Sequence, residues 1–164
     1  MIARREGIGN NIGASVYDDS TKRTAELDRS TQVAPNAIVF TDSSHLYANS
    51  NFARMTVGPS GLTLLDALNP TLGLPPLPLV SDGALIYSAN GKIVNPQSET
   101  IVGSFTNPDN PPNNQNTFPI TPAYSVVVDA GTDRAFFITN YNDGTTSSTS
   151  VLVFSRHLIN SQGA

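Results

Sequence analysis

The chain has 164 residues, of which 38% are apolar and only 13% charged, with a formal net charge of −4. That length suits one domain or part of one, and the charge density is too low for a disordered acidic tail. With a pI near 4.9 and only Lys22 and Lys92 as lysines, no basic stripe exists to neutralise phosphates, so neither nucleic acid nor an anionic membrane surface is an expected partner.

The absence of cysteine removes disulfides, thiolate nucleophiles and zinc–cysteine sites. At the N-terminus, Met1 to Gly7 contains two arginines but no apolar stretch follows them, so no signal peptide is read here. Residues 1–13 are expected to form an N-terminal arm. No run approaches the ~20 apolar residues that span a bilayer. No Asn-x-Ser/Thr acceptor occurs. The abundance of Asn, Ser, Thr, Gly and Pro with few lysines suggests a secreted or cell-surface protein whose export signal is not in this sequence; a cytoplasmic protein is the alternative.

Strand signals follow one another along the chain. Ala14 to Tyr17 ends in Asp18-Asp-Ser-Thr21, residues that hydrogen-bond their own backbone in turns. Arg54 to Val57 and Leu62 to Asp66 flank the turn Gly58-Pro-Ser-Gly61. Leu62 to Leu68 could be a helix, but it is short and runs into Asn69-Pro70, where the residue before proline is pushed out of the α region. Lys92 to Asn95 and Thr100 to Phe105 flank Pro96-Gln-Ser-Glu99, and Asn90-Gly91 is read as a tight turn with positive φ. Ser150 to Phe154 is the last clear strand.

One unit occurs three times: Ala37 to Phe40 with His45 to Ala48, Leu77 to Val80 with Ala84 to Tyr87, and Ser125 to Asp129 with Arg134 to Ile138. Aligned on Tyr47, Tyr87 and Phe137, the copies lie 40 and 50 residues apart. The strands of each unit are expected at 37–40, 45–48, 54–57 and 62–66, then at 77–80, 84–88, 92–95 and 100–105, then at 125–129, 134–139 and 150–154. The first strand of a unit is expected to be buried on both faces, as in Ser125 to Val128. Ala14 to Tyr17 is read as the third strand of an incomplete preceding unit. Four-stranded units of this length predict an all-β fold, a β-propeller of about three antiparallel blades and a partial one. The segments are 14–36 (partial), 37–74, 75–118 and 119–158, with 159–164 as a C-terminal tail. A plain β-sandwich is the alternative.

Three stretches resemble the repeats of uncharacterised bacterial β-propeller proteins of the broad YncE/NHL-like surface class. They are Ala14 to Asp19, Ser81 to Pro96 with Gly103 to Phe105, and Val128 to Thr139. The resemblance implies architecture and no catalytic set. Members of the class have six to eight blades, so three units and a fragment imply a longer protein, a homo-oligomer or another partner. An arc of blades alone would leave apolar faces and strand edges open.

The chemistry-bearing residues are sparse. His45 and His157 are far apart in the repeat and show no HxH or HExxH spacing. Calcium is the better metal candidate, at Asn140, Asn142 and Asp143 or at Asp18-Asp19-Ser20, but neither has the alternating acidic spacing or distal Glu of a calcium loop. Asp82, Asp129 and Asp133 fall beside turns after first strands; as paired carboxylates they could serve glycosidase or lyase chemistry. The equivalent placement of Asp82 and Asp129 favours a repeated structural turn instead. No Gly-x-Ser-x-Gly elbow and no glycine-rich phosphate loop occur.

Tyr47, Tyr87, Phe136 and Phe137 are read as packing between blades. Two long segments, 106–118 and 140–149, interrupt the period; the second is expected as the tip of a hairpin. Phe118, Tyr124 and Tyr141 beside Asn140, Asn142 and Asp143 make these the first place to look for a sugar, since Tyr faces stack on rings and Asn or Asp bonds hydroxyls. The leading functional expectation is a non-enzymatic scaffold or binding module acting through self-assembly or protein contacts. The alternatives are a glycan-binding propeller and a propeller-class hydrolase or lyase.

Overall fold

Short alternating apolar stretches, separated by Asp, Asn and Gly turns, place most of the described residues in β structure. A computed structural model describes residues 2–6, 13–27, 37–49, 52–65, 69, 72, 74, 78–105, 125–142 and 147–156, and no α-helix occurs among them. Fourteen strands are described, in four antiparallel sheets. The chain divides into two compact units, Met1–Pro76 and Leu77–Ala164. The expected β-rich class is therefore seen, with each unit containing one three-stranded and one four-stranded sheet.

In the first unit, β1 (Ile2–Glu6), β2 (Gly13–Asp18) and β3 (Thr21–Lys22) form one sheet. Strand β1 lies within the stretch expected to be an arm and pairs with β2 from Ile2↔Tyr17 to Glu6↔Gly13. The second sheet is β4 (Ile38–Phe40), β5 (His45–Ala48), β6 (Ala53–Gly58) and β7 (Gly61–Leu64), in chain order. Period-two alternation sends Ala14 and Val16 of β2 to one face, where they meet Leu46, Ala48, Met55 and Leu62 of the second sheet.

The backbone also ties these two sheets together. After β3 the chain turns back, so that Leu27 bridges Ala14 and Ala25 bridges Gly61. Ala25 N–H donates to the Ser60 carbonyl at 2.6 Å, and Leu62 N–H donates to the Ala25 carbonyl at 3.0 Å. This approach requires glycine at 61. Its φ is +132°, and a Cβ there would sit 1.9 Å from the Ala25 oxygen.

In the second unit, β8 (Leu79–Ser81), β9 (Ile86–Ser88), β10 (Lys92–Asn95) and β11 (Thr100–Ser104) form a four-stranded sheet. The third sheet strand is reached through a turn at Ala89 to Gly91, one residue longer than the expected Asn90-Gly91 turn, with Gly91 at φ 87°. The last sheet is β12 (Ser125–Asp129), β13 (Arg134–Asn142) and β14 (Ser147–Ser155). An aromatic cluster fills the space between them. Phe105 lies 6.5 Å from Tyr87, 5.4 Å from Phe137 and 4.9 Å from Phe154, ring centre to ring centre. Such contacts add roughly 0.5–1.5 kcal/mol per pair beyond burial itself.

Three expectations are corrected here. First, Tyr87 and Phe137 point into the same core from opposite sheets. Tyr47 alternates with Leu46 and Ala48, so it lies on the face of its sheet turned away from β1–β3. The third member of the set on the corresponding face is Phe136, not Phe137, because a slip of one residue reverses a strand's faces. Second, β12 is not buried on both faces: Val126 is buried, but Val127 is 53% exposed. Third, the expected hairpin tip at 140–149 is shorter than read, since 140–142 and 147–149 are paired strand and 143–146 lie outside the described residues. The β13–β14 ladder continues through Asn140↔Thr149 to Asn142↔Ser147.

The two glycines flanking the β6–β7 turn give a sharp contrast. Gly61→Ala is expected to destabilise the protein by on the order of 3 kcal/mol. Gly58→Ala, with nothing within 4 Å of its Cβ position, is expected to change stability by less than about 0.5 kcal/mol. Urea unfolding of both variants measures this, and equal losses would show that the Ala25–Gly61 approach carries no weight.

Candidate functional site

A single carboxylate placed at the start of a turn recurs in three hairpins. Asp42 Oδ1 accepts the Ser44 and His45 amides at 2.7 and 2.9 Å. Asp82 Oδ1 accepts the Ala84 and Leu85 amides at 2.9 and 2.8 Å. Asp129 Oδ1 accepts the Gly131 and Thr132 amides at 2.9 and 3.3 Å. The expected structural turn at Asp82 and Asp129 is thus formed, and Asp42 joins it. Asn95 does the same for Gln97 and Ser98. A short carboxylate or amide side chain satisfies amides that the tight turn leaves without backbone partners.

The second oxygen separates the three. In the exposed turns it stays local: Asp42 Oδ2 lies 2.8 Å from His45 Nδ1, and Asp129 Oδ2 accepts the Thr132 hydroxyl at 2.7 Å. Hydrogen bonds, first from the Ser44 amide, hold Asp42 down at about 2. The Thr132 hydroxyl, then the turn amides, lower Asp129.

Asp82 instead faces inward, and its side chain is only 4% exposed. Its Oδ2 accepts the Tyr87 hydroxyl at 2.9 Å and the Arg156 guanidinium. Arg156 Nε donates to the Tyr87 oxygen at 2.9 Å, and its guanidinium carbon lies 5.5 Å from the centre of the Tyr87 ring. Arg156 Nε is 4.0 Å from Asp133 Oδ1, and the Arg156 amide donates to the Asp133 carbonyl.

This cluster is the most concentrated polar chemistry among the described residues. Burial pushes Asp82 up, but the Leu85 and Ala84 amides, the Tyr87 hydroxyl and Arg156 outweigh it, and its carboxyl is held below the usual range. Burial, then the Asp82 hydrogen bond, pushes Tyr87 up to about 12. A phenol so held is no base near neutrality. Each Asp82 oxygen already accepts two hydrogen bonds. The arrangement is that of a clamp between the β8–β9 hairpin and the end of β14, rather than a proton relay.

The first unit has a comparable arginine. Arg23 donates to both oxygens of Asp18, at 2.8 and 2.9 Å, and to the Gly58 carbonyl at 2.6 Å. Asp18, one member of the second calcium candidate, is thus engaged by a cation.

The other sequence candidates are placed as follows. Of the carboxylates, Asp82 and Asp133 meet around Arg156, while Asp129 closes its own turn. Asn140, Tyr141 and Asn142 belong to the paired backbone of β13. Phe118, Tyr124, Asp143 and His157 lie outside the described residues. His45 opens β5 beside Asp42. No group of three or more His, Cys, Asp or Glu side chains suited to a metal occurs among the described residues. Nor is any helix there long and apolar enough to cross a membrane. Sequence reasoning missed Arg156, which stands 74 residues from Asp82. Its only signal is a lone cation directly after an uncharged strand.

No known family matches this chain, and no match is found among curated proteins or solved structures.

Arg156→Met is expected to cost about 3 kcal/mol, because it leaves the Asp82 carboxylate buried without its cation. Calorimetric or urea unfolding would test this; a loss under about 1 kcal/mol would remove the clamp from the account. A second expectation concerns alkali. Tyr87 is raised on folding from 10.0 to about 12, so its contribution to stability is complete below pH 10 and is lost as pH rises from 10 toward 12. Phenolate absorbance should show a late titration step that is lost in Tyr87→Phe. In Asp82→Asn that step should move down, and a native titration curve unchanged by Tyr87→Phe above pH 10 would contradict the geometry.

Proposed function

We propose that this chain is a non-enzymatic scaffold or binding module of β-propeller type that works through self-assembly or protein contacts. The observation that carries this reading is the strand order. Each sheet is built from consecutive strands with no crossover, and the first strands β8 and β12 of successive sheets are neighbours. A sandwich with Greek-key connections would instead pass strands between sheets. Four consecutive meanders, stacked in pairs, are what a row of propeller blades requires.

The resemblance of Ser81 to Pro96 and Val128 to Thr139 to YncE/NHL-like repeats supports the same architecture. The polar clusters support a non-enzymatic role. Asp82, Asp129, Asp42 and Asp18 all spend their oxygens on turn amides, hydroxyls or arginines of their own unit. A catalytic carboxylate needs an oxygen left for substrate or water.

The test is the mass of the purified full chain in solution, by light scattering over a wide concentration range. Species at or above twice 17.4 kDa are expected as concentration rises. A well-folded protein that stays at 17.4 kDa throughout would remove self-assembly. A glycan array on the same sample would show whether the module reads sugars instead.

A further inference from the structure

The sequence holds one Asn-Gly pair, Asn90-Gly91, in the turn between β9 and β10. In an open chain this dipeptide is prone to spontaneous deamidation, because glycine has no Cβ to hinder its own nitrogen and turns freely about its backbone. The Gly91 nitrogen loses its proton to hydroxide and attacks Asn90 Cγ. A C–N bond forms, the Cγ–Nδ2 bond breaks, and ammonia leaves with a proton taken from water. Water then opens the cyclic imide at either carbonyl, giving aspartate or isoaspartate at position 90. The net change is one water consumed and one ammonia released.

The fold closes each of these steps. Gly91 N–H donates to the Ser88 carbonyl at 2.8 Å, an acceptor that cannot remove the proton. Asn90 Oδ1 accepts the Lys92 amide at 3.1 Å, which holds the side chain in one orientation. Asn90 is fully buried, and its Nδ2 finds no hydrogen-bond partner among the described residues, so no acid is at hand for the departing ammonia. Asp82-Gly83 is the acidic counterpart of this dipeptide. There the Gly83 amide donates to Ser81 Oγ at 3.0 Å, and both carboxylate oxygens are engaged, so the same attack is blocked at the acid itself.

The Asn90 turn is also tied to the core. Ala89 N–H donates to the Pro78 carbonyl at 3.0 Å, and the Phe105 amide donates to the Gly91 carbonyl at 2.9 Å. Phe105 is the ring that meets Tyr87, Phe137 and Phe154. Freeing the Gly91 nitrogen therefore means loosening the aromatic cluster between β8–β11 and β12–β14.

We propose that Asn90 is a deamidation site held shut by the packed second unit, so that its conversion is a covalent record of that unit opening. The record is one-way. An aspartate would place a carboxylate where the amide is fully buried, and burying a charge costs more than burying an amide. Isoaspartate adds one carbon to the main chain, inside a turn whose Gly91 amide and carbonyl are both bonded. Either product favours the open form over the closed one.

The full chain tests this without any substitution. It is held at mildly alkaline pH with and without concentrated urea, then digested, and conversion at Asn90 is followed by mass spectrometry. Asn90 is expected to react faster than the other asparagines in urea. In the folded chain it is expected to be slowed by at least about 100-fold, which corresponds to an opening free energy of about 2.8 kcal/mol or more. Folded and unfolded rates within about threefold of each other would overturn the proposal, as would another asparagine overtaking Asn90 in urea. Phe105→Leu is expected to speed the reaction of the folded chain by about tenfold or more and to leave the rate in urea unchanged; an unchanged folded rate would cut the tie to the aromatic core. Asn90→Asp is expected to unfold at lower urea than the native chain, and an equal or higher midpoint would remove the one-way record. Because the native chain supplies the first comparison, the test stays decisive should either variant fail to fold.

Discussion

Burial between sheets is the constraint on which the rest of this protein depends. A three- or four-stranded sheet can hide an apolar face only against another layer. In the second unit that requirement is met by Tyr87, Phe105, Phe137 and Phe154, which interlock between β8–β11 and β12–β14. In the first unit smaller residues do it, and Ala14, Ala48 and Ala53 leave the sheets close enough for backbone contact. The Ala25–Gly61 bridge and the glycine at 61 follow from that closeness. The choice of large or small residues thus decides whether sheets are joined by side chains or by main chain.

Packing that is flat and apolar sets distance well but lateral position poorly, because it is non-directional. The arginine clamps supply direction. Arg156 reaches Asp82 and Tyr87 at fixed donor positions, and Arg23 spans from Asp18 to the Gly58 carbonyl. Each anchors a strand end to a hairpin, near where the aromatic or aliphatic core runs out. A guanidinium suits this role because its planar fork binds a carboxylate with two nitrogens and keeps another for a further acceptor. The cost of burying Asp82 is offset by the two turn amides on Oδ1 as well as by the cation.

Features that depend on neighbouring residues were legible in the sequence. The turn at Gly58 to Gly61, the hairpins around it and the turn roles of Asp82 and Asp129 all rest on local backbone chemistry, and they are present. Features that depend on period-two parity were fragile. The run Ala135-Phe136-Phe137-Ile138 is apolar at every position, so nothing in it says which aromatic faces the preceding sheet. Composition misled at 140–149, where Asn, Gly, Thr and Ser suggested a loop but the ladder persists to Asn142↔Ser147. Serine and threonine tolerate an exposed strand well, and threonine is β-branched. The Asp82–Arg156 pair was illegible for another reason: no local rule links residues 74 positions apart.

The same parity explains why the last sheet differs from its siblings. A strand with one buried face normally alternates apolar with polar residues. Thr63 follows that rule in β7, exposed between the buried Leu62 and the half-buried Leu64. In β12, β13 and β14 the rule is broken at Val127, Phe136, Ile138, Val151 and Val153, every one on the outward side. Five departures grouped on one face, with Ser125, Asp129, Arg134 and Ser155 only at its ends, are a pattern of composition rather than isolated exposed residues. A sheet with apolar residues on both faces is a middle layer by composition. Among the described residues of the second unit no sheet packs on that side, and Val127, Val151 and Val153 there are each more than half exposed.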